Sequence, residues 1–235
     1  MPQLDLALAT SQIETDEAVS IFDLDRTLHS GSGLAVLAKH GFRRRLVRGH
    51  KLAYSLMHEF VYRQRGSTDQ QTSSVAELAL GVVNGITVED MMMVIDSAAQ
   101  EIAASVRPAM RILLESHQKA GHQTVILSAS PQELVQAIAG LLRVDHGIGT
   151  QIEQEDGVLT GQIVAPMCYG AEKLDRLHAV MGWTSEDLSM ATSYAYADSI
   201  SDLPLLESVD TPVAVSPDRE LLRIALDRGW PVLQL

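Results

Sequence analysis

The sequence predicts an α/β protein: a Rossmann-like, doubly wound parallel sheet that carries an inserted all-helical domain. Three observations predict it. From residue 107 onward, short apolar runs alternate with helical stretches, the pattern of parallel strands covered by helices on both faces. One earlier run, Ala18–Phe22, has the same strand character but stands far from the others. The block that separates them, about 34–106, reads as helical.

Taken in order, residues 1–17 form an N-terminal extension, expected to be flexible or loosely docked. Its apolar stretch at 4–9 is interrupted by Asp5 and lacks a basic start, so it does not read as a secretory signal. Ala18–Phe22 stops at Asp23, a buried strand running into polar residues. In the inserted block, 31–106, Tyr54, Met57 and Val61 keep helical spacing. Thr87 followed by Asp90 resembles a capping box, opening a helix through Met91, Met92, Met93, Ile95 and Ile102. The three methionines are expected to fill a core.

The second part of the core follows. Pro108 starts a helix that Gly121 ends. A strand at 124–127 reaches Ser128, and Pro131 opens the next helix. Asp156-Gly157, between 148–155 and 158–163, signals a hairpin. A helix at 171–181 precedes a strand at 193–197 that ends in Asp198. Short strands at 212–215 and 231–233 flank a helix at 218–227. The core is therefore expected at 18–30 and 107–235.

Four polar signatures fall just beyond strands or at a helix start: Asp23-Leu24-Asp25-Arg26-Thr27, Ser128, Lys173, and Asp198 with Asp202. In a parallel sheet, ligands bind outside the carboxyl ends of the strands, so these residues are expected to converge there. Taken singly, each has a plainer explanation. Asp23 and Asp25 suit a turn, Ser128 and Asp202 suit helix caps, and Lys173 suits a solvated helix position. Their order on successive elements favours chemistry. Several carboxylates in one pocket repel each other unless a cation shares it, and Mg²⁺ suits a few carboxylates together with phosphate oxygens. A carboxylate can attack phosphorus to form an aspartyl-phosphate, while a second carboxyl exchanges protons with the leaving group and water. A hydroxyl and an ammonium would hold the phosphoryl oxygens.

These residues resemble the motifs of the haloacid dehalogenase superfamily, and specifically of its phosphoserine-phosphatase-like branch with a helical cap. The resemblance runs from about Ala18 onward. Asp23, Asp25 and Thr27 match its D-x-D-x-T motif, Ser128 its strand-end hydroxyl, Lys173 its lysine, and Asp198 with Asp202 its paired aspartates. The resemblance implies that Asp23 is the nucleophile and a Mg²⁺ ligand, and that Asp25 is the general acid and base, touching the metal through its carbonyl. It implies that Asp198 completes the metal ligands with Asp202 in support, and that Thr27, Ser128 and Lys173 serve the phosphoryl group. Arg26 fills a variable position and receives no role. True phosphoserine phosphatases place an acidic residue shortly after the first motif; here 29–33 reads His-Ser-Gly-Ser-Gly. The expected activity is hydrolysis of a small phosphorylated metabolite. Two alternatives stay open: phosphoserine phosphatase proper, and a binding or regulatory module that retains the pocket.

Composition narrows the partners. Eighteen basic against 30 acidic side chains give a net charge of −12, a poor basis for nucleic-acid binding. No apolar run is long enough to span a membrane. The single cysteine, Cys168, excludes an internal disulfide and fits a reducing, cytoplasmic setting. The eight histidines form no compact ligand pattern, which argues against a zinc site, and Trp183 and Trp230 are too scattered for a base-stacking platform. Positive charge gathers between Lys39 and Arg65, where residues 31–70 carry +6. That segment admits three readings: a solvated helix face, an attractor of anionic phosphoesters, or a peripheral contact of 43–65 with an anionic surface. His40, His50 and His58 lie within it, more simply as partly exposed helix positions than as phosphate contacts.

Overall fold

A computed structural model describes residues 6–11, 13, 18–46, 83–164, 166–183 and 192–235. Through these residues the chain runs α1 (Leu6–Ser11), β1 (Ala18–Phe22), α2 (Gly33–Arg43), α3 (Val88–Ala104), α4 (Pro108–Ala120), β2 (Gln123–Pro131), α5 (Gln132–Leu142) and β3 (His146–Thr150). It continues through β4 (Ile152–Glu155), β5 (Val158–Ile163), α6 (Glu172–Met181), β6 (Thr192–Ala197), a 3₁₀ turn (Ile200–Asp202) and α7 (Leu203–Glu207). The last elements are β7 (Thr211–Val215), α8 (Arg219–Arg228) and β8 (Val232–Leu233). The fold is the expected Rossmann-like α/β architecture. Six parallel strands pair in the order β3-β2-β1-β6-β7-β8. The chain winds one way from β1 to β3 and the other from β6 to β8, so the order reverses between β1 and β6, which is where such sheets bind ligands.

Strand alternation sends side chains to two separate cores. Phe22, Ile126, Tyr194, Tyr196 and Val213 meet α3, α4 and α5 on one face. Val19, Ile21, Val125, Leu127 and Ala195 meet α6, α7 and α8 on the other. All five residues of β1 are buried, as a central strand with helices on both faces requires. Full burial of Ile21 and Phe22 contributes about 1.5–3 kcal/mol each.

Local signals act where expected at several termini. Thr87 Oγ1 accepts from Asp90 N–H at 3.1 Å to cap α3, although the Asp90 carboxylate accepts from the Thr87 hydroxyl rather than from a backbone N–H. Pro108 sits in the first turn of α4, and Gly121 ends that helix at φ +84°, a conformation that costs glycine nothing.

Other expectations change. The stretch 148–155 is not one hairpin arm: β3 pairs with β2 in the main sheet, and only β4 and β5 form the hairpin. Two glycines account for the division. A Cβ on Gly147 would lie 2.7 Å from the Val135 carbonyl oxygen and one on Gly149 2.6 Å from the Ser130 carbonyl oxygen, so their absence lets β3 lie close against the backbone of α5 and the end of β2. Of the three methionines only Met91 is buried; Met92 and Met93 are 37% and 42% exposed. Helical spacing places Met91 with Val94, Ile95 and Ala98 on the inward stripe and turns its two neighbours out. Part of the N-terminal extension is docked, since α1 buries Ala9 in the same core as α4.

Within 31–106, α2 and α3 are described and both pack on that core. Ile95, Ala98 and Ile102 of α3 share it with Leu134 and Ile138 of α5. At the base of this segment, His29 bridges to Val106 and Arg107 N–H donates to the Leu28 carbonyl at 2.9 Å. Lys39 and His40 of the basic stretch both bind the Glu101 carboxylate, at 2.6 and 2.9 Å, and Arg44 approaches Ser97. Arg43 and Arg45 are exposed, whereas Arg48, Lys51, Arg63 and Arg65, with His50, His58, Tyr54, Met57 and Val61, lie outside the described residues.

Candidate active site

Register brings the polar signatures to one level. Phe22 pairs with Ile126 on one side and Tyr196 on the other, so Asp23 stands level with Leu127 and Ala197, one step short of Ser128 and Asp198. Asp23 N–H extends the ladder by donating to the Tyr196 carbonyl at 2.9 Å. The following loop curls tightly, with Leu28 and His29 amides donating back to the Asp23 and Leu24 carbonyls. Arg26, at φ +64°, turns the curl, and its amide donates to the Gly31 carbonyl at 3.1 Å.

Four carboxylates and two cations meet here. Lys173, from the first turn of α6, is 3% exposed and bridges Asp23 Oδ1 at 2.7 Å and Asp202 Oδ1 at 2.6 Å. Arg26 Nε lies 3.1 Å from Asp198 Oδ2. The Thr27 hydroxyl approaches Asp198 Oδ1 at 3.5 Å. Asp25 accepts from the Gly33 amide at 2.7 Å, so the first residue of α2 holds this carboxylate directly. Ser128 is buried, and its Oγ accepts from Ser130 N–H at 3.1 Å, which leaves its own O–H free to donate.

Burial and crowding set the protonation of this group. Burial, reinforced by the Asp23 carboxylate, pushes Asp25 up to about 7 against the pull of the Gly33 amide and of Lys173. Burial and Asp23 likewise push Asp198 up to about 8, with Arg26 opposing. Asp202 rises to about 6, because burial outweighs the stabilising ammonium of Lys173. Burial alone would lower Lys173, yet Asp202 and Asp23 together hold it above the ordinary lysine value. Cys168, by contrast, is pushed up to about 12 by burial and stays a neutral, packed thiol.

The donors suit a divalent cation. Asp23, Asp198 and Asp202 each offer a carboxylate oxygen, and these oxygens lie within 4.8 Å of one another. This all-oxygen set has the hardness that Mg²⁺ prefers. Burial and the neighbouring carboxylates raise Asp198 and Asp202, and positive charge placed among them opposes both shifts.

Three contributors were not assigned from sequence. Arg26 announces itself only as a cation between two motif residues, and its partner Asp198 lies far along the chain. The Gly33 amide carries no side-chain signal at all. Asp218, noticed only as a helix start, receives the Ile200 amide at 2.8 Å while its own amide donates to the Asp198 carbonyl at 2.8 Å. It therefore fixes the loop that carries Asp198 and Asp202.

The sequence profile of the haloacid dehalogenase-like hydrolases matches residues 21–207, most of the chain and every residue of this pocket. The chain belongs to that family. It falls in the branch of phosphatases similar to phosphoserine phosphatase. A phosphoserine phosphatase of Mycobacterium tuberculosis is 32% identical over 223 residues, which cover 92% of this chain and 70% of that protein. A histidinol-phosphatase of Neisseria meningitidis is 38% identical over 137 residues, covering 57% of this chain and 62% of its own. Among solved structures, a Bordetella pertussis protein of unknown function superposes with a TM-score of 0.79 at 28% identity, covering 92% of this chain and 98% of its own. Among the described residues no helix is long and apolar enough to cross a membrane.

Proposed function

We propose that this hydrolase is a Mg²⁺-dependent phosphatase of a small phosphomonoester, working through an aspartyl-phosphate on Asp23. The observation that carries the reading is the pairing of two carboxylates two residues apart with opposite electrostatic settings. Asp23 faces the Lys173 ammonium at 2.7 Å, whereas Asp25 accepts from one amide and is pushed up to about 7. A carboxylate held by an ammonium suits attack on phosphorus, and a carboxyl pushed up to about 7 suits a proton carrier.

In this reading Asp23 attacks phosphorus while protonated Asp25 gives its proton to the leaving oxygen. Asp25, now a carboxylate, then takes a proton from the water that hydrolyses the acyl phosphate. Lys173 and the Ser128 hydroxyl hold the phosphoryl oxygens, and Lys173 offsets the charge gathered around Asp23. Thr27 steadies the nucleophile loop through Asp198. Mg²⁺ would be held by Asp23, Asp198 and the Asp25 carbonyl with Asp202 in support, and would supply charge neutralisation of the phosphoryl group.

Residues 31–106 are assigned to a cap that selects the leaving group, over a core of 18–30 and 107–235. Phosphoserine is disfavoured as substrate because 29–33 brings no carboxylate to meet its ammonium. A reducing cytoplasmic setting accords with a single buried thiol. A screen of phosphorylated metabolites with and without Mg²⁺, run beside Asp23→Asn, tests the reading. Mg²⁺-dependent phosphate release that disappears in the variant is expected; full activity in the variant would overturn the nucleophile assignment.

A further inference from the structure

Among the described residues, Arg26 is the one charged group of the pocket that the proposed chemistry leaves without a task. Its backbone sits at φ +64°, where an ordinary L-residue carries strain of about 1–2 kcal/mol and where Gly or Asn would sit more easily. Its side chain is nevertheless directed into the pocket, with Nε 3.1 Å from Asp198 Oδ2. Asp198 is one of the three carboxylates whose oxygens cluster within 4.8 Å.

Charge partition makes the contact informative. Lys173 serves Asp23 and Asp202, and it is enclosed with them. Arg26 serves Asp198, and its side chain stays 23% exposed where Lys173 is 3% exposed, so it reaches solvent from the contact. A divalent ion drawn to the oxygens of Asp23, Asp198 and Asp202 would meet Arg26 at Asp198 Oδ2.

We propose that Arg26 is a tethered counter-cation that competes with a divalent metal for Asp198. It holds the carboxylate while the metal is absent and releases Oδ2 when the metal binds. Arg26 thereby sets the metal affinity of the site and keeps the carboxylate cluster folded between occupancies. The inference rests on the metal site proposed above, but it concerns binding and not turnover.

The experiment measures Mg²⁺ binding by isothermal titration calorimetry, and melting temperature with EDTA or with Mg²⁺, for the native protein, Arg26→Asn and Arg26→Lys. Asn tolerates the left-handed backbone, so the loop keeps its shape. Arg26→Asn is expected to bind Mg²⁺ about tenfold more tightly, because a competing charge a few ångströms away is gone. It should also melt lower than the native protein in EDTA, with the deficit closing when Mg²⁺ is added. Arg26→Lys, which keeps the charge, should lie nearer the native affinity. A residue that merely braces the loop would lower both melting temperatures equally and leave Mg²⁺ affinity unchanged or weakened, and that result overturns the proposal. So does an absence of Mg²⁺ binding in all three proteins. Failure of the phosphatase reading would look different: Mg²⁺ bound as described, with no phosphoester hydrolysed.

Discussion

Lys173→Met keeps a long, flexible side chain while removing its charge, and so isolates what the ammonium does. The lysine touches Asp23 at 2.7 Å and Asp202 at 2.6 Å, and its loss strands two buried carboxylates. Removing one partner of a buried pair costs about 3–5 kcal/mol. In a chain of this size each kcal/mol moves the melting temperature by about 2–4 °C. The metal-free variant at pH 8 is therefore expected to melt about 6–20 °C below the native protein. Protonation should narrow the gap. Asp25, Asp198 and Asp202 have native pKa values near 7, 8 and 6, above the ordinary 3.8, so the folded state holds more protons than the unfolded chain between these limits. Stability from this cluster is complete below the unfolded value and is lost as pH rises through 6 to 8. Without the ammonium, Asp202 takes up its proton at still higher pH, and at pH 5 that part of the penalty is discharged. Thermal melts of both proteins in EDTA at pH 5 and pH 8 measure this. A deficit of equal size at the two pH values would refute the counter-charge role.

Two further outcomes are expected. Asp25→Asn retains a carbonyl oxygen to accept from Gly33 N–H, so fold and Mg²⁺ affinity should be largely kept while kcat drops by about 10²–10⁴; a loss of Mg²⁺ affinity matching that of Asp198→Asn would contradict the assignment. Gly147→Ala would place a methyl 2.7 Å from the Val135 carbonyl oxygen and 2.9 Å from Gln136 Cα, both backbone, and should destabilise the protein by about 1–3 kcal/mol in urea unfolding. An unchanged midpoint would show that β3 does not need this close approach.

Much of the core was legible because its signals are local. Five buried residues ending at Asp23, or a proline and a glycine bracketing α4, depend on the nearest few neighbours. The convergence of Asp23, Ser128 and Asp198 was legible for a different reason, since the carboxyl ends of parallel strands meet whatever lies between them. Legibility failed where tertiary proximity decides. Nothing near Gly33 indicates that its amide meets Asp25, and nothing near Arg26 indicates Asp198, because each pair is joined only by the curl of the loop or by the β1–β6 pairing. The methionine run failed through averaging: three apolar residues in a row cannot all face one side of a helix. The division of 146–155 depended on glycines whose meaning appears only against the backbone of α5.

The clasp at the base of the inserted segment has an evolutionary consequence. His29 meets Val106, and Arg107 is tied to Leu28, so the chain leaves the sheet and returns to it at the same place. For such a closed excursion, doubling the enclosed length adds only about 0.6 kcal/mol of closure entropy. That tolerance belongs to the chain between α2 and α3 and not to the helices themselves, because Gly33 holds Asp25 and because Ile95, Ala98 and Ile102 are buried in the core. A change of length there leaves the clasp and the Gly33–Asp25 contact in place.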